Sequence, residues 1–124
     1  MTRRREGFDF PKGEGNEIHS IIYVPSTKNT TEPISQKEFK KRINDTIRFY
    51  RKYLGGSTKI IGVGNWRSGS KESVTEKIAK IENFSSSVDY DKADLKIKKW
   101  LYNKKREWGQ NAISYEFEES LYFV

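Results

Sequence analysis

A chain of 124 residues, 34% hydrophobic and 33% charged, is long enough for one domain with its own core, and seven Phe, seven Tyr and three Trp supply bulk for it. The absence of cysteine excludes disulfides, thiolate metal sites and cysteine nucleophiles, and a single histidine, His19, excludes paired-imidazole sites. A net charge of +7 favours partners that carry negative charge and disfavours acidic mimicry of nucleic acid.

Residues 1–16 hold Arg3, Arg4 and Arg5 in a row, with one proline and three glycines, and read as a flexible basic arm preceding a single domain at 17–124. Such an arm is either a solvated tail or a clamp on phosphates. "EIHSIIYVPST" (17–27) follows as a strand apolar on both faces, with Ile18, Ile22 and Val24 on one and Ile21 and Tyr23 on the other. That pattern belongs to a central strand. Pro25 ends it, and "KNTTEP" reads as a polar loop.

"ISQKEF" (34–39) fits a capping box, Ser35 as N-cap and Glu38 three residues on. Phe39, Ile43, Ile47, Tyr50 and Leu54 then recur at helical spacing up to Gly55-Gly56, predicting a helix over 35–54. "STKIIGVGNW" (57–66) reads as a strand and "RSGS" as the turn after it. Residues 71–84 fit either a helix, which Val74, Ile78 and Ile81 suit, or a hairpin strand, which the preceding turn and the following "SSS" suit. A second helix over 89–109 carries acids at its start and bases at its end, the order that the helix dipole favours. "NAISYEFEESLYFV" alternates as one strand with a wet face.

With 71–84 as a strand, the order is that of a ferredoxin-like βαββαβ domain: an α+β fold with a four-stranded antiparallel sheet and two helices on one face. Strand order 4-1-3-2 would place the doubly apolar first strand centrally. Two helices cover one sheet face, so the other calls for a second subunit, which predicts a homodimer or larger assembly.

The chain resembles a group of uncharacterised small proteins of archaea and viruses. The likeness rests on "IIYVPST", on "GGST" after the first helix, on "GVGNW…G…E" (62–76) and on "WGQNAISYEFE" (108–118). More loosely, "SQKEF" to "VTE" is similar to a bacterial strand–helix–strand domain of unknown function. The resemblance implies a viral or mobile-element setting and no particular activity.

Seven Lys/Arg against two acids on the first helix, and seven against four on the second, concentrate the charge there. Lys37, Lys41, Arg48 and Lys52 form a stripe, either a solvated face or, with Arg3, Arg4 and Arg5, a surface for nucleic-acid phosphates. Trp66, beside a Gly- and Ser-rich turn, packs under the loop, stacks on a base or nucleotide ring, or anchors a subunit contact; in the ligand reading Arg67 pairs with a phosphate, and Gln110, otherwise a plain turn residue, reaches the same ligand. His19 reads as a hydrogen-bonded strand residue or a general base. Glu72 and Glu76 near Arg67 read as a weak surface ion pair, an acid/base pair or a metal site.

No nucleophile stands beside its own base, and "GVG" has no helix after it to make a dinucleotide loop. The reading is a non-enzymatic binding protein for an anionic ligand, nucleic acid or a nucleotide, with sequestration of a host defence signal as a specific form suggested by the viral resemblance, and with no metal and no cofactor. A phosphodiester-cleaving enzyme and a protein–protein inhibitor of a host factor are the alternatives. No apolar run reaches the roughly 20 residues of a membrane span, so the expected compartment is the cytoplasm, that of a host cell if the protein is viral.

Overall fold

The computed structural model describes residues 18–124 except Thr30, residues 68–72 and Glu119. The basic arm with Arg3, Arg4 and Arg5, the "RSGS" turn beyond Arg67 and Glu72 therefore lie outside the described residues.

The elements run β1 (Ile18–Pro25), β2 (Thr27–Lys28), β3 (Glu32–Pro33), α1 (Gln36–Leu54), β4 (Thr58–Arg67), β5 (Ser73–Ser85), α2 (Ser87–Glu107), β6 (Ser114–Phe117) and β7 (Ser120–Phe123). Five strands form one antiparallel sheet in the order β4-β5-β1-β6-β7, and β2 and β3 form a separate two-stranded sheet. The four-stranded ferredoxin-like sheet expected from the sequence does not fit this architecture.

Two local causes account for the difference. The C-terminal alternation, read as one strand, is folded back on itself: Glu118 takes a left-handed φ of 53°, and Ser114 to Phe117 pair with Phe123 to Ser120. A Glu-Glu turn carries none of the Gly or Asn that marks hairpins, so the pattern hides the break. Likewise "KNTTEP" is not irregular throughout, because Asn29 (φ 48°) turns the chain so that Thr27 and Lys28 pair with Pro33 and Glu32.

β1 lies centrally, between β5 and β6. Ile22 and Val24 are fully buried, with Ile21 on the opposite face at 7% exposure. The core fills the space between the helices and the sheet face that carries Ile22, Val24, Ala79, Ile81 and Tyr115, with Tyr50, Ile97, Leu101 and Trp108 from the helical side. At roughly 1.5–3 kcal/mol per buried large apolar side chain, this layer dominates the fold's stability.

The helix signals are partly rewritten. Ser35 caps α1 by accepting from the Glu38 amide (3.1 Å), but the Glu38 carboxylate turns to the Arg42 guanidinium (3.1 Å). Only half of the capping box forms. Gly55 closes α1 in the left-handed region (φ 88°), where glycine is the unstrained choice. α2 starts two residues earlier than the acidic cluster suggests, because Ser86 is its N-cap and accepts from the Asp89 amide (3.1 Å).

Candidate functional site

At the far end of β1 the chain brings together four segments: Tyr23 and Pro25 of β1, Thr27 of β2, Glu76 and Ile78 of β5, and Gln110 to Ser114 between α2 and β6. A cavity of about 80 Å³ opens there, lined by Tyr23, Pro25, Glu76, Ile78, Gln110, Ala112, Ile113 and Ser114. Its lining contains one carboxyl and no Lys or Arg.

Glu76 is held across the β4–β5 ladder from Gly64 and is half-buried. Burial pushes its carboxyl pKa up, while the Thr27 hydroxyl, the Ser26 amide and the Arg42 charge pull it part of the way back. The Thr27 hydroxyl and Glu76 Oε2 are close enough to feel each other. Both atoms are buried, and neither closes a regular hydrogen bond among the described residues. A buried acceptor without a full partner in a cavity is a group available to a ligand.

Gln110 faces this carboxyl's segment from the other side. Its Nε2 donates to the Thr27 carbonyl (2.5 Å) and the Trp108 carbonyl (3.1 Å). Two carbonyl acceptors fix which end of the amide is nitrogen, so Oε1 is the end left to accept from something else. Tyr23 supplies the aromatic wall. Its hydroxyl donates to Glu116 Oε1 (2.7 Å), Lys80 Nζ lies 5.2 Å from its ring centroid, and burial with the Glu116 carboxylate raises its pKa to about 12. Tyr23 is therefore neutral and donating at any physiological pH.

The sequence candidates fall in different places. Gln110 is in the cavity. Arg67 is exposed and pairs across the ladder with Ser73, and Trp66 pairs with Val74 through its backbone, its side chain lying outside the described residues. The register sets Arg67 and Glu76 on opposite faces of the β4–β5 ribbon, so these two do not have the geometry of an ion pair, and Glu72, the other acid read near Arg67, lies outside the described residues. Burial, not Arg67, governs Glu76.

His19 is the hydrogen-bonded strand residue: Nε2 contacts Glu82 Oε2 (2.7 Å), and its ring stacks on Phe84 at 4.4 Å and 11°. On α1, Lys41 and Arg48 both pair with Asp45, Lys52 lies 5.3 Å from the Tyr53 ring centroid, and Lys37 is exposed. Half of the proposed phosphate stripe is thus already engaged by one aspartate. Among the described residues no three His, Cys, Asp or Glu stand close enough to hold a metal ion.

Sequence reasoning missed Tyr23, Thr27 and Arg42 as site elements and undervalued Glu76. One signal was available. Arg42 continues the line Glu38–Arg42–Thr46–Tyr50 at four-residue spacing, and that line runs onto the buried side of α1.

No family model matches the chain, and no curated protein matches it. Among solved structures it is similar to a phage SAM lyase in complex with S-methyl-5'-thioadenosine, at 17% identity and a TM-score of 0.64 over 89% of this chain and 90% of that one. It is likewise similar to a phage SAM lyase in the apo state, at 17% identity and a TM-score of 0.65 over 94% of each chain. At such identity the likeness is one of fold. The viral side of the sequence resemblance meets a phage fold; the archaeal and bacterial sides find no support in these comparisons. Among the described residues no helix is long and apolar enough to cross a membrane.

Proposed function

We propose that this chain binds S-adenosylmethionine at the Glu76 cavity and acts on it as a lyase, releasing S-methyl-5'-thioadenosine. One observation carries the reading: a cavity lined by a half-buried carboxyl and by no Lys or Arg occurs in a fold matched over 89% of the chain by a phage SAM lyase. The nucleoside part of the sequence expectation is kept. Its phosphate part is not, because the lining offers nothing to pair with an anion.

Charge distribution supports a cationic ligand in a basic protein. Lys and Arg crowd the helices, whereas Glu76, Glu82 and Glu116 outnumber Lys80 among the charged residues that β5 and β6 register on the sheet face turned away from them. A sulfonium beside an aromatic wall and a carboxylate is favoured electrostatically. Glu76 would hold the sulfonium or the ammonium end, and Gln110 Oε1 would accept from the nucleoside. In the cleavage the carbon–sulfur bond breaks with both electrons leaving on sulfur, which departs as a neutral thioether. The bond that breaks joins sulfur to the amino-acid arm, and that carbon balances by forming a bond to the arm's own carboxylate oxygen, so no proton has to move. The leaving group needs no acid, consistent with a site without an obvious acid–base pair.

Ligand pockets for molecules of this size run to roughly 300–1,000 Å³, several times the cavity in one chain. The open sheet face supplies the missing wall if a second copy covers it, because Ile60, Phe84, Leu121 and Phe123 are exposed around it. The site then lies at a subunit boundary. Removing a methyl donor in the host cytoplasm would starve methyl-dependent defence, the anti-defence role that a phage setting suits.

The experiment is incubation of the purified protein with S-adenosylmethionine and chromatographic measurement of S-methyl-5'-thioadenosine. Formation of the thioether in wild type, reduced at least about tenfold in Glu76→Ala, supports the reading. Absence of product, together with no calorimetric binding of the thioether, overturns it.

A further inference from the structure

Arg42 is 3% exposed and does not line the cavity, yet the cavity's geometry converges on it. Its Nη1 donates to the Pro25 carbonyl (3.0 Å) and the Thr27 carbonyl (2.9 Å), its Nη2 to the Trp108 carbonyl (3.3 Å) and its Nε to Glu38 Oε2 (3.1 Å). The guanidinium also sits 5.5 Å from the Trp108 ring centroid. Burying a charge is costly, and an apolar side chain of similar volume often serves stability as well or better. What an apolar residue cannot do is bond three carbonyls, two at the end of β1 and one at the end of α2, with a single side chain.

We propose that Arg42 is the positioning residue of the Glu76 cavity, its guanidinium tying the end of β1 to the end of α2 and so fixing where Thr27, Glu76 and Gln110 stand relative to one another. The role in ligand binding rests on the reading of this cavity as the ligand site. Thr27 presents its carbonyl to Arg42 and Gln110 and its hydroxyl to Glu76, so a shift of this residue moves both cavity walls. A lysine would keep the charge but, as a point donor, could not span the same carbonyls.

The charged and titratable groups that face Glu76 are few. Tyr23 of β1 lines the same cavity and stays neutral; Arg42 of α1 lies behind it; the segment from Gln110 to Ser114 contributes none, and Gly64 of β4 stands opposite. Lys80 and Glu116 act on Tyr23, at its ring and its hydroxyl. Arg42 is thus the cation whose removal Glu76 should register.

The test uses nuclear magnetic resonance on the ligand-free protein, following the Glu76 carboxyl carbon through a pH titration and the Gln110 side-chain amide protons. In Arg42→Gln the Glu76 midpoint rises through loss of both the charge and the Thr27 placement, and in Arg42→Lys, which keeps the charge, it rises less. In both variants the Gln110 amide protons shift and exchange faster. A merely structural Arg42 would not separate the two variants in this way. Unmoved Gln110 protons in Arg42→Lys overturn the proposal, and that variant decides alone if Arg42→Gln does not fold. Calorimetry with S-methyl-5'-thioadenosine adds the ligand: binding at least tenfold weaker in Arg42→Lys is the expected result, and binding within twofold of wild type overturns the proposal. Wild type that fails to bind the thioether, while Glu76 and Gln110 respond as stated, overturns the ligand reading and leaves the positioning role standing.

Discussion

The side chains of Arg42 and Gln110 donate to the same two carbonyl oxygens, those of Thr27 and Trp108. Both oxygens are saturated with donors, so the position of Gln110 tolerates no acceptor. Gln110→Glu sets a carboxylate against them and should destabilise the fold by about 1–3 kcal/mol at neutral pH. Acidification protonates that carboxyl and restores a donor, so the loss should shrink as pH falls. Thermal melts at several pH values read both effects.

Glu76 gives a pH dependence of definite sign. Its folded-state pKa is raised, chiefly by burial, so between the ordinary carboxylate value and the raised one the folded state holds more protons than the unfolded state. Its contribution to stability therefore falls as pH rises through that window. Glu76→Gln removes the penalty: it should melt above wild type at neutral pH, and the difference should vanish below the ordinary carboxylate pKa. A variant that melts lower at neutral pH would show that the carboxylate is stabilised by partners instead.

Tyr50 is fully buried, and its hydroxyl shares a hydrogen bond with Ser20 Oγ (2.9 Å) beneath the centre of the sheet. Tyr50→Phe leaves the serine hydroxyl short of that partner while keeping the packing. The expected cost is about 1–2 kcal/mol in denaturant unfolding, without change in the slope of the transition.

Self-association through the open sheet face predicts that Ile60→Lys combined with Phe123→Lys yields a monomer in light scattering. The double change should leave the melt of the isolated chain nearly untouched, since Ile60 is 47% and Phe123 70% exposed. A wild-type protein that is already monomeric at tens of micromolar would remove the second wall from the proposed site.

The local signals were the legible ones. The helix over 36–54 is written in Ser35, the Phe39–Leu54 periodicity and Gly55, and the doubly apolar β1 declares its central place. The fifth strand was not legible, because its turn is made by Glu118 in a conformation that no residue type there advertises. The site was legible only at Gln110. Glu76 looked like a surface acid because spacing along the chain placed it near Arg67, and only the ladder register separates their faces. Arg42 looked like one more helix base among seven; its burial depends on carbonyls from residues 17 and 66 positions away. Contacts of that range leave no mark in a window of sequence.

β5 is longer than the strands around it. Its pairing with β1 ends at Ile78, whereas its pairing with β4 continues to Ser73, so in the described ladders Val63–Arg67 and Ser73–Lys77 pair only with each other. A two-stranded ribbon without a third strand is marginal in water. This overhang should therefore breathe independently of the sheet, its amides exchanging with solvent well before those of Ile78–Glu82. Glu76 rides on it, two residues beyond the last pair anchored to β1. One wall of the cavity is thereby hinged while the wall bearing Gln110 is fastened, and a ligand could enter and leave by fraying a few ladder bonds, on a timescale set by the ribbon and not by the unfolding of the domain.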